Sequence, residues 1–112
     1  MKSIKLDGKE VYPSKIVCIG RNYVDHIKEL GNEVPTEPVI FLKPNSAIAE
    51  TITSGEAEQV HYEGEITFMM LSGRLAAVGF GLDLTKRALQ SRLKAKGLPW
   101  ERSKAFDGAA IF

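Results

Sequence analysis

The sequence lacks the features that would tie it to a membrane, to nucleic acid or to an oxidising compartment. Its 112 residues include a single cysteine, Cys18, so no disulfide can form within the chain. No run approaches the roughly 18 apolar residues of a membrane-spanning helix, and the N-terminus has no apolar signal core. Fifteen basic and fourteen acidic residues leave a net charge of +1, so nothing favours nucleic acid or an anionic membrane as a partner. We therefore expect one small domain in the reducing cytoplasm.

The hydrophobic pattern predicts an α+β chain rich in short strands. Turn residues and glycines separate the segments, and the periodicity changes from two to about 3.6 at two places. The predicted elements are a hairpin within residues 3–12, a buried strand over 15–19, a helix over 23–30, a strand over 39–42, a surface loop over 45–55, an acidic strand within 58–71, a tight turn at 72–74, a return strand over 75–82, a helix from Asp83 to about Lys96, and a strand-like stretch over 109–112.

The acidic strand carries the most informative pattern in the chain. In a strand, Glu63, Glu65 and Thr67 share one face, whereas the apolar side chains have the opposite parity. Two carboxylates about 7 Å apart on one face repel each other, which is costly unless a cation neutralises them. Hard oxygen ligands in this arrangement suit Mg²⁺ or Mn²⁺. The alternative is an acidic pair on a solvated strand face.

A third carboxylate, Asp83, has two possible roles. It follows the return strand at the predicted start of a helix, where an aspartate commonly caps the first backbone amides. Alternatively, the hairpin that begins near Glu65 could bring Asp83 to the acidic face, where it would complete a set of three metal ligands. The local sequence leaves both roles open.

Two helical pairs could take part in chemistry. His26 and Glu29 lie three residues apart, so the carboxylate could orient the imidazole as a general base that takes a proton from water. Arg87 and Gln90 have the same spacing and could hold a substrate carboxylate. Solvated helix faces carry such pairs too, and that alternative stays open for both.

Five blocks of the sequence, in order, resemble the fumarylacetoacetate hydrolase family. Residues 19–30 resemble the family's G-[RK]-N-Y-x-x-H-x-x-E-[LM] segment, and residues 38–44 are similar to its E-P-x-x-F-x-K-P strand. Residues 61–65 match the H-x-E-x-E strand, and residues 79–87 are similar to G-[YF]-x-x-x-D-x-[ST]-x-R, with one residue fewer before the aspartate. Residues 90–107 continue the match towards the smaller, acylpyruvase-like members. The resemblance implies a mixed, β-rich roll of this family's type with short helices.

The resemblance also implies a role for each matching polar residue. The implied metal ligands, for Mg²⁺ or Mn²⁺, are Glu63, Glu65 and Asp83. The implied catalytic residues are His26 and Glu29, which would activate water, and Lys104, which would neutralise an oxyanion or enolate. The implied substrate-binding residues are Arg21, Asn22, Lys43, Arg87 and Gln90.

The expected activity is hydrolysis of a carbon–carbon bond in an acylpyruvate-like β-diketo acid, such as acylpyruvate or fumarylpyruvate, by a metal-dependent homodimer. Oxaloacetate decarboxylation and enol–keto isomerisation use the same kind of site and are the nearest alternatives. Members of the family continue beyond the position of Phe112, so we expect residues 1–112 to be the N-terminal part of a single catalytic domain that lacks its C-terminal half. A chain of this kind could also be a non-catalytic fragment that needs the missing half.

Overall fold

The structure is a computed structural model, and it describes residues 1–20, 37–53 and 59–112. The strands are β1 (Ile4–Leu6), β2 (Lys9–Val11), β3 (Lys15–Gly20), β4 (Val39–Pro44), β5 (Ile48–Ala49), β6 (Val60–Leu71), β7 (Arg74–Lys86) and β8 (Ala110–Ile111). The helices are α1 (Arg87–Ala95) and α2 (Glu101–Lys104), and a 3-10 turn (Asn45–Ala47) follows β4. The predicted helix over 23–30 lies outside the described residues.

The strands form two hairpin-like pairs and one mixed sheet. β1 pairs with β2 and β3 pairs with β4, both antiparallel. The third sheet has the order β5-β8-β7-β6, in which β5 and β8 are parallel and the other neighbours are antiparallel. The predicted α+β class with a mixed, β-rich architecture is confirmed.

The long β6–β7 hairpin is the element that positions the acidic residues. Its turn consists of Ser72 and Gly73, which both have positive φ, at 50° and 75°. Two such residues form the two-residue turn whose twist matches that of the flanking strands. Leu71 therefore pairs with Arg74, and the register runs back to Val60 opposite Lys86 with one irregularity at Met69/Met70. The predicted tight turn is confirmed.

The predicted start of the second helix is wrong. Asp83 lies inside β7, where it pairs with Glu63 of β6 on one side and with Ala110 of β8 on the other. The helix begins only at Arg87, and the capping position is occupied by Lys86, whose side chain makes no capping hydrogen bond. Because Asp83 is paired within the sheet and the helix begins four residues later, Asp83 cannot cap that helix.

The predicted surface loop over 45–55 is partly wrong as well. Asn45, Ala47 and Ile48 are buried. The Asn45 side chain accepts a hydrogen bond from the Lys2 backbone N–H at 2.7 Å and donates one to the Pro13 carbonyl at 2.6 Å. A small, polar sequence fits a buried connection as well as a loop once its polar groups are hydrogen-bonded, so composition could not separate the two.

The inner face of the β6–β7 hairpin carries the acids, and its outer face is apolar. A small core is formed by Ala47, Ile48, Leu84, Leu89, Leu93, Ala109 and Ala110. Large side chains that stay more than half exposed on the hairpin include Tyr62, Ile66, Phe68, Met70, Val78 and Phe80. The predicted burial of the strand over 15–19 is wrong within this chain, because its residues alternate between exposed and half-buried and Val17 is 52% exposed. Within the described residues, no helix has the length and apolar character needed to cross a membrane.

Candidate metal centre

Three carboxylates meet on the inner face of the β6–β7 hairpin. Glu63 and Asp83 are direct partners across the two strands, so their side chains lie on the same face. Glu65 follows Glu63 by two residues and therefore shares that face. One carboxylate oxygen from each of the three residues lies within 4.8 Å of the other two. The hairpin register thus brings together the three predicted metal ligands.

The position opposite Glu65 is a glycine for a steric reason. Gly81 pairs with Glu65, and a Cβ atom at this position would lie 2.8 Å from the Thr67 hydroxyl and 3.2 Å from the Ile111 carbonyl oxygen. Rotation of the Thr67 side chain could relieve the first contact, whereas the second involves backbone. A larger residue here would require β8 to shift by a few tenths of an ångström next to the acids.

Two buried lysines contact Asp83. The Lys43 ammonium lies 2.8 Å from Asp83 Oδ1, and the Lys104 ammonium donates a hydrogen bond to Asp83 Oδ2 at 2.8 Å. The residues Lys43 and Lys104 are 1% and 3% exposed. The acidic pattern in the sequence suggests neutralisation by a metal, whereas the structure supplies protein cations for this purpose. Charge repulsion alone therefore does not require a metal.

Lys43 joins three elements of the fold. From β4, its ammonium donates hydrogen bonds to the backbone carbonyl of Leu84 in β7, at 3.1 Å, and to that of Lys104 in α2. Burial lowers the pKa of Lys43, the nearby Lys104 charge acts in the same direction, and Asp83 opposes both. All these partners belong to the protein. Its assigned role in substrate binding stays a prediction, and the geometry adds a structural role.

Lys104 is held by side chains of β7. Besides its bond to Asp83, its ammonium donates to the Thr85 hydroxyl at 2.7 Å and lies 5.0 Å from the centre of the Phe41 ring. Thr85 is fully buried and follows Asp83 by two residues on the same face of β7. The sequence pattern predicts a helix at Thr85, so it gives no sign that Thr85 shares a strand face with Asp83.

Arg87 and Gln90 contact each other at the start of α1. The Arg87 guanidinium donates a hydrogen bond to Gln90 Oε1 at 2.6 Å and another to Glu63 Oε1. Gln90 is buried, whereas the Arg87 side chain is 38% exposed. The predicted helical pair is thus linked to the acidic strand through Glu63. Whether the pair binds a substrate carboxylate stays a prediction.

Four of the predicted site residues lie outside the described residues. These are Arg21, Asn22, His26 and Glu29. Their assigned roles stay predictions.

Cys18 lies near this cluster, on β3 opposite Phe41 of β4. Burial, followed by the charge of Asp83, raises the pKa of its thiol from 9.0 to about 11. A thiol with this pKa stays protonated at neutral pH, so Cys18 is poorly suited to act as a nucleophile.

The chemistry of the donor set fits a divalent cation. Asp83 Oδ1 is buried, and the described residues provide it with one close partner, the Lys43 ammonium at 2.8 Å. A carboxylate oxygen has more than one lone pair, so a lone pair stays available to a cation beside this ion pair. Together with oxygens of Glu63 and Glu65, Asp83 Oδ1 offers the hard, anionic ligands that Mg²⁺ and Mn²⁺ prefer.

Comparison with known proteins agrees with this fold. The family described as "Fumarylacetoacetate (FAA) hydrolase C-terminal" matches residues 15–112. The chain belongs to the fumarylacetoacetate hydrolase family, whose members include hydrolases, tautomerases and decarboxylases.

Individual relatives differ in the reactions for which they are named. The oxaloacetate tautomerase YcgM of Escherichia coli is 39% identical over 114 residues, which cover 88% of this chain and 52% of the relative. A structure from Oleispira antarctica, assigned to the fumarylacetoacetate isomerases/hydrolases, has a TM-score of 0.87 at 38% identity and covers 99% of this chain and 57% of its own. The fumarylpyruvate hydrolase of Pseudomonas aeruginosa, solved with Mn²⁺ and pyruvate, has a TM-score of 0.84 at 28% identity with 98% and 57% coverage. The chain spans about half the length of the curated relatives it matches.

Proposed function

We propose that the chain forms the metal-binding part of an enzyme that interconverts the enol and keto forms of a small 2-oxo dicarboxylic acid, with oxaloacetate as the substrate. The observation that carries the proposal is the Lys104 ammonium on Asp83, directly beside a cluster of three carboxylates that can hold a divalent cation. An enolate that forms here would lie between the Lys104 ammonium and the bound divalent cation. The likeness to oxaloacetate tautomerases supports this reaction over the hydrolysis that the sequence motifs first suggested.

The charge balance of the cluster favours a dianionic substrate. Among the described residues, the acids Glu63, Glu65 and Asp83 carry three negative charges. They are matched by three cations, which are Lys43, Lys104 and Arg87. A bound Mg²⁺ or Mn²⁺ would add two positive charges, which a dicarboxylate would neutralise. Uncompensated charge is costly around the buried Asp83, Lys43 and Lys104, so a dicarboxylate fits better than a monoanion.

In this proposal Glu63, Glu65 and Asp83 hold the metal. When it is bound, the metal would supply Lewis acidity that polarises the 2-oxo group and stabilises negative charge on its oxygen. Lys104 would place its ammonium against the oxygen that becomes negative as the enol proton passes to water, and water would return a proton to the neighbouring carbon. Arg87, oriented by Gln90, would bind a carboxylate of the substrate.

A second candidate is hydrolysis of an acylpyruvate to pyruvate and a carboxylic acid. The similarity to a fumarylpyruvate hydrolase structure favours it. This reaction needs an activated water, and His26 with Glu29 is the pair that the family resemblance assigns to that step.

We further propose a cytoplasmic homodimer, for which the exposed apolar face of the hairpin offers a contact surface.

The first test follows the ultraviolet absorbance of the oxaloacetate enol with the purified 112-residue chain and Mn²⁺ or Mg²⁺. We expect turnover above the rate with metal alone, and a loss of at least about 100-fold in excess EDTA, because charge stabilisation in the site depends on the cation. Glu65→Gln should act like EDTA, whereas the matched control Glu50→Gln, on an exposed residue, should not. Turnover that persists in EDTA would contradict the proposal, and so would a chain that binds Mn²⁺ and gives no turnover.

The second test separates the two reactions by means of His26→Ala. Tautomerisation requires no attacking water, so its rate should fall by less than about 3-fold, whereas hydrolysis of acetylpyruvate should fall by about 100-fold or more, the usual contribution of a general base. The comparison uses kcat for both substrates with the same enzyme sample. Equal losses for the two substrates would mean that His26 supports the site as a whole rather than the water.

A further inference from the structure

We infer that Thr85 is a positioning residue that directs the ammonium of Lys104 towards the substrate. The inference rests on the proposed function, because it concerns how Lys104 meets the developing negative charge. Nothing in the comparisons assigns a role to Thr85. Its hydroxyl accepts a hydrogen bond from Lys104 at 2.7 Å in a fully buried position.

The hydrogen bonds of the ammonium account for two of its three N–H donors. Within the described residues, Asp83 Oδ2 accepts one at 2.8 Å and the Thr85 hydroxyl accepts another. Because the three donors of an ammonium have fixed relative directions, two occupied donors determine where the third one points. That third donor is the one available to a substrate oxygen.

Thr85 and Asp83 can act together because of the strand register. They lie two residues apart on β7, so both side chains rise from the same face and flank the amine. The main chain of Lys104 is fixed separately, since its carbonyl accepts a hydrogen bond from the Lys43 ammonium. What remains to be fixed is the long, flexible side chain of Lys104, and Asp83 alone cannot fix it.

Asp83 alone would not hold the Lys104 ammonium in one direction, because its carboxylate has other partners. Its other oxygen faces Lys43, and the same carboxylate belongs to the proposed metal site. Metal bound at Asp83 would draw on the negative charge of the carboxylate and would so weaken its bond to Lys104. The Thr85 hydroxyl has no such second role among the described contacts, so it provides the reference point that does not change with metal binding.

The kinetic test compares Thr85→Val with Thr85→Ser. Valine keeps the size and branching of threonine but lacks the hydroxyl, so we expect kcat to fall by about 10- to 100-fold, the range for a misdirected catalytic group, while KM changes by less than about 3-fold. Serine should restore kcat to within about 3-fold of the wild type. Thr67→Val makes the same chemical change on β6 and should leave kcat within about 2-fold. If the valine variant does not fold, Thr85→Ala carries the same expectation.

A second measurement does not depend on turnover. Hydrogen exchange of the Lys104 ammonium, followed by ¹H–¹⁵N NMR of the lysine side chains, should be slow in the wild type and in Thr85→Ser, because the buried group is hydrogen-bonded. In Thr85→Val it should be at least about 10-fold faster or lost from the spectrum. The Lys104 signal is identified by its absence from the spectrum of Lys104→Met. When Thr85→Val is added to Lys104→Met, kcat should fall no further.

The outcomes separate the inference from the proposed function. If the wild type turns over neither substrate with metal bound, the proposed function fails, and the NMR comparison alone then decides whether Thr85 holds the ammonium. A Lys104 signal that stays unchanged in Thr85→Val would overturn the inference. Wild-type kcat in Thr85→Val, or failure of serine to restore kcat, would overturn it as well.

Discussion

Asp83→Asn is expected to lower the free energy of unfolding of the metal-free protein by about 3–5 kcal/mol, the usual cost of removing one partner from a buried ion pair. Asp83 contacts both Lys43 and Lys104, and both are buried. An amide cannot balance two buried ammonium groups, and its NH₂ group would point a donor at one of them. Urea denaturation followed by circular dichroism measures the effect.

Glu63→Gln is the matched control for this substitution. Glu63 also faces the cluster and pairs with Arg87, but its side chain is 40% exposed, so solvent can replace the lost contact. Its loss of stability should stay below about 1 kcal/mol. Both variants should weaken Mn²⁺ binding in calorimetry, because both remove an anionic oxygen ligand. A loss below about 1 kcal/mol for Asp83→Asn as well would show that the two lysines do not depend on this carboxylate.

Lys104→Met is expected to lower kcat by about 100- to 1,000-fold, the magnitude found when one charge-stabilising donor is removed from an active site. Methionine fills a similar volume beside the Phe41 ring, so the protein should still fold, because Lys43 continues to balance Asp83. Mn²⁺ affinity should be retained or increased, since the positive charge of the ammonium no longer opposes a cation bound at Asp83. Steady-state kinetics and calorimetry on the same sample separate these effects.

The control for this variant is Lys96→Met, which makes the same substitution at an exposed residue after α1. It should leave kcat, KM and Mn²⁺ affinity unchanged. If Lys104→Met kept more than about a tenth of the wild-type kcat, the ammonium would not stabilise the developing charge. If it lost Mn²⁺ binding together with kcat, its effect would be on the metal ligands instead.

Much of the hairpin and of the acidic pair could be predicted because these features are local. The alternation of side chains in a strand is a property of the backbone, and it placed Glu63 and Glu65 on one face without further information. The turn at Ser72 and Gly73 was equally readable, because residues that tolerate positive φ are few. The same kind of local reasoning failed at Asp83, since the residues after a strand look the same whether the strand ends or continues.

Which face of the hairpin lies inside could not be read from the sequence. A strand with acids on one side and Tyr62, Ile66 and Phe68 on the other would ordinarily bury its apolar side, yet in this fold the acids face inward and those three residues are exposed. Buried cations from β4 and α2 make this orientation possible, because they pair with the acids. These ion pairs join residues that are far apart in the chain, so no local sequence pattern predicts them.

By itself the sequence determined the family, the β-rich class and two of the three acids on one face, because motifs, periodicity and turn chemistry act over short stretches of chain. Only the tertiary structure decided that Asp83 belongs to a strand, that Lys43 and Lys104 converge on it, and that Thr85 holds Lys104. Lys43 also donates a hydrogen bond to the backbone carbonyl of Lys104, which lies 61 positions further along the chain. These contacts depend on strand register and burial, which are set by the packing of the whole fold and not by any single segment.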